Sequence, residues 1–242
     1  MTKISELQKD LAAVFRWTAR LNMNEGIANH FSVCLPNSND FYVNGSGLHF
    51  SSIKASNMVL VEQDKIEQIK NKPELVDPTA LNIHGTIHKK VPHARCILHV
   101  HSKYATALSA LKDPTLQPID QNTMRFYNRV SVCGDFGGLG FENESNKMAS
   151  AIGNNRSMLL ANHGVITVGQ TIAEAFDELY YFEKACETYI TALSTSKELN
   201  IVSSEVAEKT AQEWQNYPVN MGQQHFNEIK KILDKEDISY KE

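Results

Sequence analysis

The sequence has 242 residues with a formal net charge of −4, 42% hydrophobic residues and four cysteines. It contains no basic block and no apolar run near the roughly 20 residues that a membrane helix needs, so we expect neither a nucleic-acid nor a membrane partner. The cysteines are scattered without a C-x-x-C pair, and with no signal-peptide core this pattern indicates reduced core thiols in a cytoplasmic protein. Since no linker or repeat interrupts the chain, we expect one domain over residues 1–242, with a core at about 5–195.

The first part of the chain predicts a helix and a small group of strands. Apolar spacing indicates a helix over residues 3–22, and short strands at 31–35 and 41–43 form a hairpin across the turn at 36–40. The turn at 44–47 is rich in backbone N–H groups, which hold an anion in some proteins, although an ordinary loop is the simpler interpretation. A helical turn at 51–57, a strand at 58–62 and a charged, solvent-facing segment at 64–73 follow.

A helix is predicted from Asp77 to about Lys90, because a capping aspartate is followed by a proline at the first helical position. His84 lies on its apolar stripe, and His88 is its i, i+4 neighbour. Glycine follows His84 directly, where an H-E-x-x-H zinc site has its catalytic glutamate, so this class of site is excluded. We therefore expect His84 to be a packed histidine near the site.

Two histidines share one face of a short buried strand at residues 95–102. Side chains alternate along a strand, so His99 and His101 point to the same side as Ile97. The pair is either half of a metal or acid–base site, or two core histidines with local hydrogen bonds. The strand by itself leaves both interpretations open.

The second half predicts a helix at 103–111, an irregular connection at 113–128, a strand at 129–133, a glycine-rich surface segment at 135–140 and a helix at 145–152. His163 and Gly164 lie between strands at 157–161 and 165–168, where a glycine lets the backbone approach a ligand closely. Thr171 and Glu174 form a capping box that begins a long helix. The tail at 196–242 is polar, with a helical patch at 226–233, and we expect it to be partly disordered.

Three blocks in this order resemble the class II aldolase/adducin-head family: E-G-I-A-N-H-F-S-V at 25–33, the segment 84–102 with H-V-H, and A-N-H-G-V-I-T-V-G at 161–169. The resemblance covers about residues 5–195. It implies an α/β fold, a single three-layer α/β/α domain around a mainly antiparallel sheet, often in homotetramers. It also implies one divalent metal ion, usually zinc, on three histidines, which by position are His99, His101 and His163. Iron and manganese are alternatives, because three neutral imidazoles do not select between these metals.

The sequence departs from the aldolase pattern at the acid–base positions. The family glutamate is replaced by Ala80, which cannot transfer a proton. The family tyrosine, which comes from a neighbouring subunit, falls near Gln121, with Tyr127 as a candidate replacement and His84 as a second catalytic candidate. The family's phosphate-binding positions are partly retained, and the substrate-binding candidates there are Asn29, His30, Ser46, Gly47 and Thr79.

These residues favour a divalent-metal-dependent lyase acting on a small hydroxy-carbonyl compound, for example a sugar phosphate. The loss of the glutamate leaves two alternatives. One is an iron-dependent oxygenase or decarboxylase of an oxo-acid. The other is a non-catalytic, adducin-like assembly module, which the three retained histidines oppose.

Overall fold

A computed structural model of the chain describes residues 4–134, 137–139 and 144–242. The strands are β1 (His30–Cys34), β2 (Phe41–Asn44), β3 (Met58–Val61), β4 (Cys96–Val100), β5 (Val130–Cys133), β6 (Ser157–Leu160) and β7 (Gly164–Gly169). The helices are α1 (Glu6–Arg20), α2 (Ile66–Lys70), α3 (Pro78–Lys90), α4 (Lys103–Ser109), α5 (Gln121–Arg125), α6 (Glu144–Ala151), α7 (Ile172–Ser194), α8 (Ser204–Gln215) and α9 (Met221–Glu236). Part of the predicted glycine-rich segment at 135–140 lies outside the described residues.

The seven strands form one sheet in the order β3-β2-β1-β4-β7-β6-β5. Every neighbouring pair is antiparallel except β5 and β6, which run parallel. The prediction of a mainly antiparallel sheet is therefore confirmed. The strand β4 lies at its centre, so whatever β4 carries is held by hydrogen bonds from both sides.

Helices cover both faces of this sheet. On one face, Leu98 of β4 packs in a cluster with side chains of α1, α4, α7 and α9. On the other face, Ile97 packs with side chains of α3 and α6. Because alternate residues of β4 enter opposite clusters, the sheet is the middle of three layers, as predicted.

The main helices begin where the sequence places a cap. The Asp77 side chain accepts a hydrogen bond from the backbone N–H of Thr79, with Pro78 in the first turn of α3. The Thr171 hydroxyl accepts a hydrogen bond from the backbone N–H of Glu174 and begins α7. Each bond satisfies one of the amide groups that a helix start leaves without a partner. These caps fix the helices on both faces of the sheet.

Two expectations about helices differ from the structure in part. The tail is helical, as the sequence indicates for 226–233, but it is ordered into α8 and α9 rather than partly disordered. Phe226, Ile229 and Leu233 of α9 belong to the same hydrophobic cluster as α1 and α7. Tyr240 near the chain end is fully buried there too. The core thus extends well beyond residue 195. The connection at 113–128 also contains a short helix, α5, which begins at an Asp120 cap.

The four cysteines are buried and free, as the prediction of core thiols requires. Burial raises the pKa of the Cys34 thiol to about 11, so this thiol stays protonated and unreactive at neutral pH. No helix among the described residues combines the length and the apolar character that crossing a bilayer requires.

Candidate metal centre

Three histidine side chains converge at one end of β4. The ligand nitrogens of His99, His101 and His163 all lie within 4.8 Å of one another. The Nε2 atom of His101 is 3.1 Å from Nε2 of His99 and 2.7 Å from Nε2 of His163. The structure therefore brings together the three histidines proposed as metal ligands, although His101 and His163 are separated by 62 residues of sequence.

The position of each histidine follows from the central strands. His99 is the penultimate residue of β4 and is paired with Ile166 of β7 in the sheet register. His101 directly follows the strand, and His163 occupies the tight turn between β6 and β7. Asn162 in that turn has a left-handed backbone with φ of 55°, which asparagine tolerates better than most residues.

Gly164 lets β7 approach the end of β4. A Cβ atom at this position would lie 2.6 Å from the carbonyl oxygen of Val100 and 3.0 Å from Cδ2 of His101. Only glycine fits such a contact without a shift of the backbone. The glycine beside His163 therefore serves a close approach between two strands, where the sequence predicts a close approach to a ligand.

Hydrogen bonds at Nδ1 orient two of the three imidazoles. Nδ1 of His99 donates to the carbonyl oxygen of Val165 at 3.0 Å, and Nδ1 of His101 donates to the Glu25 carboxylate at 2.5 Å. A neutral imidazole with its proton on Nδ1 presents a bare lone pair at Nε2. Partners of this kind are typical of metal-binding histidines, whose ring orientation they fix.

The donor set fits a divalent cation. Two bare Nε2 lone pairs face each other at 3.1 Å between His99 and His101 and repel unless a cation or a proton lies between them. Burial lowers the pKa of His99 well below its usual value and that of His163 to about 4, so both stay neutral near pH 7. Neutral imidazoles are the form that binds zinc and iron.

An open cavity borders two of the three histidines. It has a volume of about 500 Å³, and Glu25, His101, Asn162 and His163 lie on its wall together with Leu139. Leu139 is 70% exposed and Glu25 lies at the solvent boundary. The centre therefore has an open side, as a catalytic metal site requires.

Two substrate-binding candidates, Asn29 and His30, are buried directly beside the three histidines. The imidazole of His30 lies 4.9 Å from that of His99 between ring centroids. Oδ1 of Asn29 accepts a hydrogen bond from the backbone N–H of Glu25 at 2.6 Å, while its Nδ2 is enclosed with no partner among the described residues. A buried donor without a partner is costly and is a usual feature of ligand sites.

The remaining substrate-binding candidates lie in the turn after β2 and at the start of α3. The backbone N–H of Ser46 donates to the carbonyl of Leu75, which brings the turn with Gly47 next to the start of α3. Thr79 donates through its hydroxyl to the capping carboxylate of Asp77 at 2.6 Å, and the negative charge of Asp77 acts on the pKa of His30. Their assignment to substrate binding stays a prediction.

The three acid–base positions have different outcomes. Ala80 is 1% exposed in an apolar cluster with β2 and β3. His84 is fully buried and hydrogen-bonded to His30 at 2.6 Å. His30 in turn lies against His99, so His84 is a packed histidine near the site, as expected. Tyr127 follows α5, where its carbonyl accepts a hydrogen bond from Arg129, and it does not line the cavity at His163. Its catalytic role stays a prediction.

Sequence reasoning missed Glu25 and Ser32 as members of this region. Both lie inside the E-G-x-x-N-H-x-S block, but their partners are distant in sequence: His101 for Glu25, and His84 and His88 for Ser32. For Glu25 the available signal was an acidic side chain in the same sequence block as the substrate-binding candidates Asn29 and His30. For Ser32 the available signal was its position two residues after His30, which places both side chains on the same face of β1.

The chain is similar to known proteins over most of its length. The family described as the class II aldolase and adducin N-terminal domain matches residues 9–190. The meiotically up-regulated gene 14 protein of Schizosaccharomyces pombe is 32% identical over 198 residues, which are 81% of this chain and 76% of that protein. Decarboxylase NovR of Streptomyces niveus is 29% identical over 205 residues, 84% of this chain and 75% of that protein. The 4-hydroxy-3-prenylphenylpyruvate oxygenase/4-hydroxy-3-prenylbenzoate synthase of Streptomyces roseochromogenus subsp. oscitans is 28% identical over 205 residues, with coverages of 84% and 73%.

Solved structures share the fold over the whole chain. An aldolase II superfamily protein from Pseudomonas syringae has a TM-score of 0.86 and 30% identity, covering 100% of this chain and 97% of that chain. L-fuculose 1-phosphate aldolase from Glaciozyma antarctica has a TM-score of 0.82 and 26% identity, with coverages of 98% and 92%. These coverages include the C-terminal helices α8 and α9.

Proposed function

We propose a function for a chain that belongs to the class II aldolase and adducin family: a divalent-metal-dependent lyase that acts on a small hydroxy-carbonyl compound, for example a sugar phosphate. The observation that carries the proposal is the convergence of three imidazole nitrogens within 4.8 Å, two of them on side chains that line an open cavity. Zinc is the first choice for His99, His101 and His163, with iron and manganese as alternatives. L-fuculose 1-phosphate aldolase among the structural neighbours supports the reaction class.

An ion bound there supplies Lewis-acid polarisation of a carbonyl or hydroxyl oxygen of the substrate. The chain's own residues contribute position and charge. Glu25 keeps the proton of His101 on Nδ1 and places a negative charge beside the ligand set. The buried Nδ2 of Asn29 offers a hydrogen bond to a substrate oxygen, and His30 lies against His99 on the same side.

The proton-transfer group of this lyase cannot be Ala80. Glu25 and His30 are the titratable groups next to the ligand set, and a substrate hydroxyl within reach of either can exchange a proton without the family glutamate. His84 is fully buried and hydrogen-bonded to His30, so we expect it to act on the substrate only through His30.

Metal content is the first test of the proposal. Protein purified without added metal and without chelator is compared with the His163→Ala variant and with His93→Ala, whose histidine bonds to Asn155 away from the centre. We expect about one ion per chain in the wild type and in His93→Ala, and loss of the ion in His163→Ala. An absence of metal in reconstituted wild-type protein would contradict the proposal.

Turnover then tests the reaction class. Zinc-loaded protein is assayed for carbon–carbon bond cleavage and for decarboxylation with a panel of hydroxy-carbonyl compounds and their phosphates. We expect activity with at least one of them and none in His163→Ala. Fully metal-loaded protein that turns over no compound would reject the lyase.

A second candidate function is an iron-dependent oxygenase or decarboxylase of an oxo-acid. Alanine at position 80 favours it, because the glutamate used in aldol cleavage is absent, and two relatives are named as a decarboxylase and an oxygenase. Anaerobic purification would then give iron and oxygen-dependent turnover of an oxo-acid. A zinc protein that is indifferent to oxygen would exclude this candidate.

The third candidate, an adducin-like assembly module, predicts that His99→Ala leaves partner binding and assembly intact. The same measurement bears on the oligomer: the family resemblance leads us to expect a homotetramer in solution. Light scattering on wild type and on His99→Ala, with circular dichroism as the control for folding, tests both. Loss of assembly in a folded His99→Ala variant would reject the module.

A further inference from the structure

A continuous hydrogen-bonded chain of buried side chains runs from His30, beside the candidate metal centre, to the segment that follows α3. Nδ1 of His30 lies 2.6 Å from Nε2 of His84, whose Nδ1 bonds to the hydroxyl of Ser32. The same hydroxyl lies 2.7 Å from Nε2 of His88, and Nδ1 of His88 lies 2.7 Å from the carbonyl oxygen of Ala94. The four side chains are at most 3% exposed. The mechanism proposed above uses only the first of them.

The carbonyl at the end of this chain decides the direction of every bond in it. A carbonyl oxygen only accepts, so His88 carries its proton on Nδ1 and its Nε2 is an acceptor. The hydroxyl of Ser32 must then donate to His88 and accept from Nδ1 of His84. Nε2 of His84 is therefore bare and accepts from Nδ1 of His30. A neutral His30 is left with its lone pair at Nε2.

The premise of neutral rings is supported by their burial. Burial is the largest cause that lowers the pKa of His88 to about 3, and it holds the pKa of His84 well below its usual value. A proton added to any of these rings would create a charge in a low-dielectric interior and break the pattern of donors and acceptors.

The free nitrogen of His30 belongs to the metal centre. His30 is paired with His99 in the register of β1 and β4, and the two rings are 4.9 Å apart between centroids. Among the described residues, Nε2 of His30 has no hydrogen-bond partner, unlike Nδ1. Of the two ends of the hydrogen-bonded chain, this is the one beside His99.

We propose that Ser32, His84 and His88 are positioning residues that fix His30 as its Nδ1-protonated tautomer, so that its Nε2 lone pair accepts a hydrogen bond from a substrate hydroxyl. This inference rests on the proposed function, because it assigns the substrate site to the same metal centre. It narrows the substrate class. An oxygen of a phosphate group next to Nε2 would face a lone pair and gain no hydrogen bond, whereas a hydroxyl would donate to it. A phosphate of the substrate must therefore bind elsewhere.

The tautomers are measured directly by ¹⁵N NMR of histidine-labelled, zinc-loaded protein, through long-range couplings between ring protons and nitrogens. Spectra of His84→Gln and His93→Gln assign the resonances, and His93 also serves as a histidine outside the chain. We expect protonated Nδ1 and bare Nε2 in His30, His84 and His88 at pH 7. A proton on Nε2 of His30 would overturn the inference.

Variants at Ser32 test the causal step. Ser32→Ala removes the acceptor of His84, which then regains a partner by moving its proton to Nε2, and this forces His30 to carry its proton on Nε2 as well. Ser32→Thr keeps a hydroxyl and should keep the wild-type tautomer. If Ser32→Ala retains a bare Nε2 in His30, the hydrogen-bonded chain does not control the tautomer of His30, and the assignment of positioning residues is wrong.

Ligand titrations connect the tautomer to specificity. Methyl phosphate, as its fully ionised dianion, and dihydroxyacetone are titrated into zinc-loaded wild type, Ser32→Thr and Ser32→Ala. With a donor at Nε2 of His30, Ser32→Ala should bind the phosphate dianion about threefold or more tightly than wild type. The affinity for dihydroxyacetone should change less, because a hydroxyl both donates and accepts. Unchanged preferences in a variant with an inverted tautomer would show that His30 does not face the ligand.

The outcomes separate this inference from the proposed function. If the wild-type protein binds one zinc ion but His30 carries its proton on Nε2, the stated direction of the hydrogen-bonded chain is rejected, while the proposed metal site is supported. If the protein binds no metal, the proposed function fails and the hydroxyl assignment fails with it. The tautomer measurement on the metal-free protein then still reports whether the buried chain is directed as stated.

Discussion

The Glu25 carboxylate accepts a hydrogen bond from Nδ1 of His101 and is the charged group nearest to the ligand set on the cavity wall. Its side chain is 65% exposed, so the structure of the interior does not require it. A carboxylate in this position raises the basicity of a metal-binding imidazole and fixes its orientation. Its effect should therefore appear in metal affinity and not in stability.

We expect Glu25→Ala to weaken zinc binding by roughly 10- to 100-fold, the usual effect of such partners. Glu25→Gln should have a smaller effect, because the amide oxygen still accepts from His101 but carries no charge. Competition with a chromogenic chelator measures the affinity. Glu67→Gln, at a carboxylate that pairs with Lys70, is the matched control. Wild-type affinity in Glu25→Ala would remove Glu25 from the centre.

Residues that bear the centre's chemistry were partly readable from the sequence. The strand period places His99 and His101 on one face of β4, and the strand break places His163 beside Gly164, because both are local properties. Only the family resemblance joins the three histidines into one candidate ligand set. The bond between Glu25 and His101 is not local, since it joins residues 76 positions apart. The same is true of the buried chain of Ser32, His84 and His88, which depends on how β1 packs against α3. Spacing alone cannot supply such pairings.

At the scale of elements, the approach of β7 to the end of β4 holds the ligand turn in place. Gly164→Ala would place a Cβ atom 2.6 Å from the carbonyl oxygen of Val100, which forces the two strands apart. We expect a loss of stability of about 1–3 kcal/mol and weaker metal binding, because His101 and His163 lie on the two sides of this contact.

Urea unfolding and zinc titration measure both effects of Gly164→Ala. The control is Gly134→Ala. An added Cβ there meets nothing within 4 Å, and this glycine directly follows the strand β5. An alanine variant at 164 with wild-type metal affinity would mean that the strand approach does not position the ligands.

The C-terminal helices mark the limit of prediction for elements. The caps at Asp77 and Thr171 and the apolar stripes of α3 and α7 are strong local signals, and the structure confirms both helices. In α8 the buried residues are only Ala207 and Ala211, so its apolar stripe is weak. The tail reads as polar because only a narrow face of each helix contacts the core. Whether such a face finds a core depends on packing that the local sequence does not contain.

Phe226 tests whether this tail belongs to the folding unit. It is 2% exposed in the main hydrophobic cluster, so Phe226→Ala should lower the free energy of unfolding by about 3–5 kcal/mol. Ile232 on the same helix is 37% exposed, and Ile232→Ala should change it by much less. Denaturant unfolding compares the two variants. Equal, small effects would mean that α9 docks without contributing to the cooperative core.

At the scale of the whole molecule, the central sheet places unusual polarity in its interior. Three imidazoles, those of His30, His84 and His88, are enclosed between β1 and α3 and stay neutral because burial lowers the pKa of each. The unfolded chain exposes the same groups to water, where histidine titrates near pH 6.5. Folding therefore releases protons from these sites at pH values between the lowered pKa values of the folded state and about 6.5.

This difference predicts an acid-labile fold. Between about pH 6.5 and the folded pKa values of about 4 for His30 and about 3 for His88, the unfolded state binds more protons than the folded state. The free energy of unfolding must then fall as the pH falls through this window, by up to about 1.4 kcal/mol per pH unit for each such group.

Urea unfolding of metal-free protein from pH 7.5 to 4.5 measures the slope. His88→Gln removes one of the groups and should flatten the slope, even if it lowers stability at every pH. His93→Gln should leave the slope as it is in the wild type, because His93 bonds to Asn155 outside the buried chain. Equal slopes in wild type and His88→Gln would mean that His88 is not held neutral in the folded protein, and the direction of the buried hydrogen bonds would have to be assigned again.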